Sequence, residues 1–218
     1  AAELPPAVEF PAVAAPAISP LLAGKRVAVA RDAAYGFIYP ANLDTLQALG
    51  ADLAFFSPLA GDTLPAVCDA VWLPGGYPEL HGEALAANTR FWHDLRAHVA
   101  AGKPLLAECG GLMSLLQSIV DKAGVEHAFG GLLPGRAVMQ KRLAALGMQA
   151  VDLPQGRMTG HTFHYSRTET PLAPWLHAQG TDGSEGEAVY RLGSITASYV
   201  HFLFPSNPAA VAALLGAA

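Results

Sequence analysis

The stretch from Lys103 to Gln117 constrains this chain most. A short apolar run, Leu105 to Ala107, predicts a buried strand, and Leu112, Leu115, Leu116 and Ile119 recur at the spacing of one helix face. Between them stand Glu108, Cys109, Gly110 and Gly111. A strand that turns directly into a helix lifts its corner residue out of the sheet, and glycines behind the corner let the backbone turn tightly. With cysteine at the corner, the pattern is a thiol version of the nucleophile elbow. A helix N-terminus favours negative charge and hence the thiolate, the reactive form of cysteine. Free cysteine is also a common buried hydrophobe. From this stretch alone Cys109 is either a nucleophile or a packed core thiol.

The surrounding elements say what kind of sheet carries that corner. Arg26 to Arg31 reads as a first parallel strand, followed by a loop over 32–39 at its carboxyl end. Pro40 and Asn42 open a helix carrying Leu43, Leu46 and Leu49, which Gly50 ends. Strands follow over 53–56 and 70–73, the second tipped by Pro74-Gly-Gly-Tyr-Pro78. Asn88 caps a helix with Phe91, Leu95 and Val99 on one face, stopped by Gly102. Strands alternating with helices predict an α/β domain whose central, mostly parallel sheet has helices on both faces. Such sheets bind ligands beyond the strand carboxyl ends, where Asp32, Gly75-Gly76 and Cys109 all fall. From about residue 130 the reading shifts to short strands, over 136–140, 148–151, 162–166, 188–191 and 195–200, with His201 ending the last. Asn207 and Pro208 then start a small C-terminal helix.

Composition excludes several function classes. The 218 residues are 52% hydrophobic, enough for one sizeable core, while a net charge of −5 and 14% charged residues leave no basic cluster for nucleic acid. Cys68 and Cys109 are the two cysteines; they make neither a disulfide framework nor a four-cysteine zinc site, and a reducing cytoplasm is the simplest setting. No apolar run reaches membrane-spanning length, and the start lacks a signal-peptide pattern. Residues 1–22, with Pro5, Pro6, Pro11, Pro16 and Pro20 among Ala and Val, predict an extended linker or tail, leaving 23–218 as the folded domain. A linker at the very start suggests that something precedes it.

A thiol enzyme that cleaves amides needs a nucleophile, a base beside it and donors for the developing oxyanion. Among the eight histidines, His201 is the best base, because it ends a strand as Cys109 does. The amides of Gly110 and of the Gly75-Gly76 turn are the natural oxyanion donors. His161 and His164 form a His-x-x-His pair, but on a strand and with no third ligand at the usual spacing, so no metal is expected. Cys68, just before the 70–73 strand, reads as core.

Taken in order, Phe56-Ser-Pro-Leu59, Pro74-Gly-Gly-Tyr-Pro-Glu-Leu80, Glu108-Cys-Gly-Gly-Leu-Met113, Gly131-Leu-Leu-Pro-Gly-Arg136, Gly160-His-Thr-Phe-His-Tyr-Ser166 and Ser198-Tyr-Val-His201 closely resemble the glutaminase domain of cobyrinic or hydrogenobyrinic acid a,c-diamide synthases. The resemblance spans roughly 24–210. It implies a flavodoxin-like, class I glutamine amidotransferase fold, with Cys109 as nucleophile and His201 as its base. It implies that Gly76 and Gly110 hold the oxyanion while L-glutamine is hydrolysed to glutamate and ammonia. Two positions depart from the usual class I pattern. Leu203 stands where an acidic partner of the histidine is usual, a departure known in this branch that leaves the orienter of His201 open. Met113 replaces a glutamine that helps hold the substrate. By analogy, Arg142 or Arg136 would bind the glutamine carboxylate, with Arg142 preferred.

Whole enzymes of this kind also carry an N-terminal ATP-dependent synthetase domain. No phosphate-binding G-x-x-x-x-G-K-[ST] occurs here. The resemblance therefore assigns ATP and magnesium, and the corrin acceptor, to a synthetase part outside this chain, and no cofactor to the chain itself. Three other readings remain open on the residues: a glutaminase serving cobyric acid or cell-wall amidation, a flavodoxin-like binding module without chemistry, and a cysteine-dependent hydrolase or chaperone of the same broad fold.

Overall fold

The computed structural model describes residues 17–216. Most of the expected linker, residues 1–16, lies outside the described residues; of the rest, Leu22 is fully buried and Ile18 packs beside it. The chain runs β1 (Arg26–Ala30), α1 (Pro40–Ala48), β2 (Asp52–Phe56), β3 (Ala70–Leu73), α2 (Gly82–Ala87), α3 (Thr89–Ala100), β4 (Leu105–Glu108) and α4 (Gly110–Leu115). It continues through β5 (Ser118–Val120), β6 (Glu126–Ala128), β7 (Arg136–Met139), β8 (Ala145–Leu153), β9 (Gly156–His164), β10 (Ser166–Glu169), β11 (Leu176–Gly180), β12 (Glu185–Leu192), β13 (Ile195–Ser198), β14 (His201–Phe202) and α5 (Pro208–Leu214).

The main sheet has ten strands in the order β14-β9-β8-β11-β12-β13-β4-β3-β1-β2. Parallel pairing joins β2, β1, β3, β4 and β13. Strand alternation sends side chains to two cores, as period-2 geometry requires. Ala28, Val71, Leu73, Leu105 and Ala107 face α2, α3 and α4 through Leu85, Phe91, Leu95 and Leu112. Val27, Val29, Trp72 and Leu106 face α1 and α5 through Leu46, Leu49, Val211 and Leu214. Helices therefore cover both faces of the parallel part, as the alternation of strands and helices predicts.

The remaining strands extend the sheet antiparallel, because short connections such as Pro154-Gln155 between β8 and β9 admit only that sense. A second sheet, β10-β7-β5-β6, lies apart from the first. Three expectations need correction here. The helix after Cys109 ends at Leu115, and Ile119 lies on β5 instead of the helix face; β-branched Ile119 and Val120 pair with β6 and β7, and Ile119 still reaches the same core. The strand expected over 162–166 is two strands, broken at Tyr165. His201 does not end the strand of Ile195: β13 stops at Ser198, whose hydroxyl accepts from the Val200 amide, and the chain crosses to pair His201 with His161 of β9.

Candidate active site

Cys109 occupies the corner between β4 and α4 with φ 48 and ψ −107, and among the described residues no other non-glycine has positive φ. Such a conformation is costly and persists only where neighbours enforce it. Here the Cys109 amide donates to the Ser198 carbonyl at 2.8 Å, and the Cys109 carbonyl accepts from Met113 at 3.0 Å. The glycines behind and opposite the corner are there for space. A Cβ on Gly111 would lie 2.2 Å from the Leu73 carbonyl oxygen, and one on Gly110 would lie 2.8 Å from that of Gly76 and 3.0 Å from its nitrogen. Gly76 and Gly110 therefore stand side by side.

The base candidate reaches the same place from the far end of the sheet. A Cβ on Gly75 would lie 2.2 Å from His201 Cε1, 2.8 Å from its Nδ1 and 3.4 Å from Cys109 Cβ. His201 and Cys109 thus share one glycine as a common neighbour, and both line one pocket with Gly76, Glu79, His164 and Phe163. The imidazole of His201 is stacked on His161, with centroids 4.9 Å apart and planes at 23°, and packs on Phe37 at 4.3 Å. His161 in turn bonds the Tyr39 hydroxyl through Nδ1 at 2.9 Å. Nδ1 of His201 is buried and has no hydrogen-bond partner among the described residues, so packing and not a side-chain acceptor holds the ring.

Burial sets the protonation of the pair. It pushes the Cys109 thiol up to about 12; the Gly110 amide opposes this, and Glu79, Glu108 and Glu187 add to it. Burial, reinforced by His161 and His164, pushes His201 down to about 3. The helix N-terminus expected to favour the thiolate is only six residues long and does not outweigh burial. At rest the pair is a thiol and a neutral imidazole.

His164 takes different company from His161. Its Nδ1 donates to the Ser166 carbonyl at 2.8 Å, its Nε2 faces Glu187 Oε1 at 2.8 Å, and its ring stacks on Tyr199 at 3.7 Å. The two histidines thus hold separate positions, His164 in the pocket lining and His161 stacked on His201, and neither shares a ligand with the other. Arg142 stands apart: it is exposed in the turn between β7 and β8 and is not among the residues lining the pocket. Arg136 is engaged with Glu169 at 2.7 Å. Sequence reasoning did not single out Glu79, which lines the pocket from the Pro74 to Leu80 loop and whose carboxyl burial pushes up. Its signal was the Gly-Tyr-Pro-Glu run, quoted only for resemblance. Cys68 is buried as expected, 3.7 Å from His98 Nδ1.

Residues 26–209 match the family of CobB/CobQ-like glutamine amidotransferase domains. The chain is 56% identical, over 214 residues, to the hydrogenobyrinate a,c-diamide synthase of Stutzerimonas stutzeri, covering 98% of this chain and 50% of that protein. The chain belongs to this family of amidotransferase domains. The cobyrinate a,c-diamide synthase of Priestia megaterium is 38% identical over 192 residues, 84% of this chain and 42% of that protein. The chain thus spans about half the length of the curated relatives it matches. A solved glutamine amidotransferase, 20% identical, superposes with a TM-score of 0.61 over 87% of this chain and 96% of its own, which identifies the fold.

Proposed function

We propose that this chain hydrolyses L-glutamine to glutamate and ammonia through a thioester on Cys109. The observation that carries the reading is the strained Cys109 corner and the His201 ring meeting across Gly75. His201, neutral at rest, takes the thiol proton as the Cys109 sulfur attacks the side-chain carbonyl carbon of glutamine. The amides of Gly76 and Gly110 donate to the resulting oxyanion. As the carbon–nitrogen bond breaks, the imidazolium returns its proton to the leaving ammonia. His201 then draws a proton from water, which attacks the thioester and releases glutamate. Glu79 supplies a carboxylate for the substrate α-ammonium, at the wall of the same pocket.

The ammonia serves a synthetase half outside this chain, which uses ATP and magnesium to amidate the a and c acetate groups of a corrin acid. Support for that acceptor is that the relatives are a,c-diamide synthases of about twice this length. The setting is cytoplasmic in this reading. Among the described residues no helix is long and apolar enough to cross a membrane. The test is glutamate release by the protein, with iodoacetamide as probe. Glutamine should protect Cys109 from alkylation, and release should stop once Cys109 is alkylated. Release that continues after complete labelling of Cys109 would end the proposal.

A further inference from the structure

The strands that carry the two reactive residues are not neighbours. In the sheet, β14 lies at one edge and β4 is the seventh strand counted from that edge, with β9, β8, β11, β12 and β13 between them. No backbone ladder joins β14 to β4; β13 pairs with β4 as far as Ser198 opposite Glu108, and Tyr199 and Val200 then carry the chain across to His201 without a ladder to β4. Glu108, the residue before Cys109, bridges this gap. Its side chain is 2% exposed; Oε1 accepts from the amide of Phe202, the residue after His201, at 3.0 Å. Oε2 accepts from Trp72 Nε1 at 3.0 Å, which aims the carboxyl from β3. The Phe202 carbonyl is held from the other side by Asn42 Nδ2 at 2.8 Å, so Phe202 is gripped at both backbone groups. His201 has no hydrogen bond to its own Nδ1, and Leu203 is 36% exposed with its amide donating to Thr159.

We propose that Glu108 is a positioning residue of the glutaminase pair: by accepting from the Phe202 amide it fixes His201 against Cys109 where the sheet does not. This takes over the task that an acidic side chain two residues after the histidine would perform, and it acts through the backbone instead of the imidazole. A buried polar side chain with both oxygens satisfied gives a geometry that packing alone leaves loose. Burial pushes the Glu108 carboxyl up to about 8, and the Phe202 and Trp72 bonds oppose that push. The inference rests on the glutaminase reading above.

The test uses the full-length protein with Glu108→Ala, Glu108→Gln and Trp72→Phe. Glu108→Ala should lower kcat for glutamate release by about tenfold to a hundredfold, the scale of a misplaced reacting group, while KM stays within about twofold. The iodoacetamide rate at Cys109 should fall with kcat. Glu108→Gln keeps the volume and one acceptor, so it should lose less; it also carries the test if Glu108→Ala fails to fold. Trp72→Phe removes the aiming bond and part of a buried indole but leaves the Phe202 bond to Oε1 in place, so it should lower kcat by less than Glu108→Ala does. Wild-type kcat in both Glu108 variants, a loss confined to KM, or an equal loss in Trp72→Phe would each overturn the proposal. A wild-type protein that released no glutamate would remove the proposed function instead, and the alkylation rates would still compare clamped and unclamped pairs.

Discussion

Gly75 and His201 fill a space that no larger side chain at 75 could share, since a Cβ there would sit 2.2 Å from the His201 Cε1. The glycine is what lets the imidazole approach the Cys109 corner. Gly75→Ala should therefore displace the ring and cut glutamate release by about a hundredfold, the usual scale for a reacting group moved by an ångström. Circular dichroism should show the fold retained, because the displaced ring borders a pocket and not the core. Activity within about twofold of wild type would mean the ring does not work from its observed position.

The depressed proton affinity of His201 makes a stability prediction. In the unfolded chain an imidazole takes up its proton as pH falls through its ordinary value of 6.5, whereas in the folded chain His201 resists until about 3. The unfolded state therefore binds more protons in that window, and acid favours it. Between pH 7 and pH 4.5, wild type should lose about 2 kcal/mol more than His201→Asn, at up to about 1.4 kcal/mol per pH unit below 6.5. Urea unfolding at the two pH values measures the difference. Equal losses would place the imidazole in a solvated setting.

The pocket wall predicts which charged residue meets the substrate. Arg142 is outside the lining and Glu79 within it. Arg142→Ala should leave KM for glutamine within about twofold, whereas Glu79→Gln should raise it by about tenfold or more through loss of a charged hydrogen bond. Initial rates against glutamine concentration decide this. A tenfold rise with Arg142→Ala would restore the arginine as the carboxylate partner.

The parallel half was legible because β1, β3 and β4 are uninterrupted apolar runs ended by turn residues, the mark of strands buried on both faces. The antiparallel half was harder to read. β8 exposes Leu146 and Met148 to solvent, which blurs its alternation, and the nine residues of β8 and β9 each exceeded the short runs expected. β13 and β14 read as one strand because the crossover at Tyr199-Val200 carries no glycine or proline; only the tertiary pairing of His201 with His161 separates them. Cys109, Gly76, Gly110 and His201 were found at one place because each belongs to a motif with local geometry. Glu108 and the stacking of His161 on His201 depend on contacts across 94 and 40 positions, which no local pattern encodes.

In the proposed function, glutamine hydrolysis and acceptor amidation are separate reactions joined by ammonia, and only the first needs the Cys109 thiol. The most direct test is amidation by full-length Cys109→Ala, with glutamine and with high ammonium as alternative nitrogen sources, counting amides on the corrin acid by mass. Alanine removes the sulfur and leaves the Gly110 amide and the elbow backbone in place. The account predicts that glutamine-driven amidation falls by at least about a thousandfold, as for removal of a covalent nucleophile, while ammonium-driven amidation persists. Retained amidation with glutamine would contradict Cys109 as the nucleophile, and loss with both sources in a folded protein would contradict the separation of the two reactions.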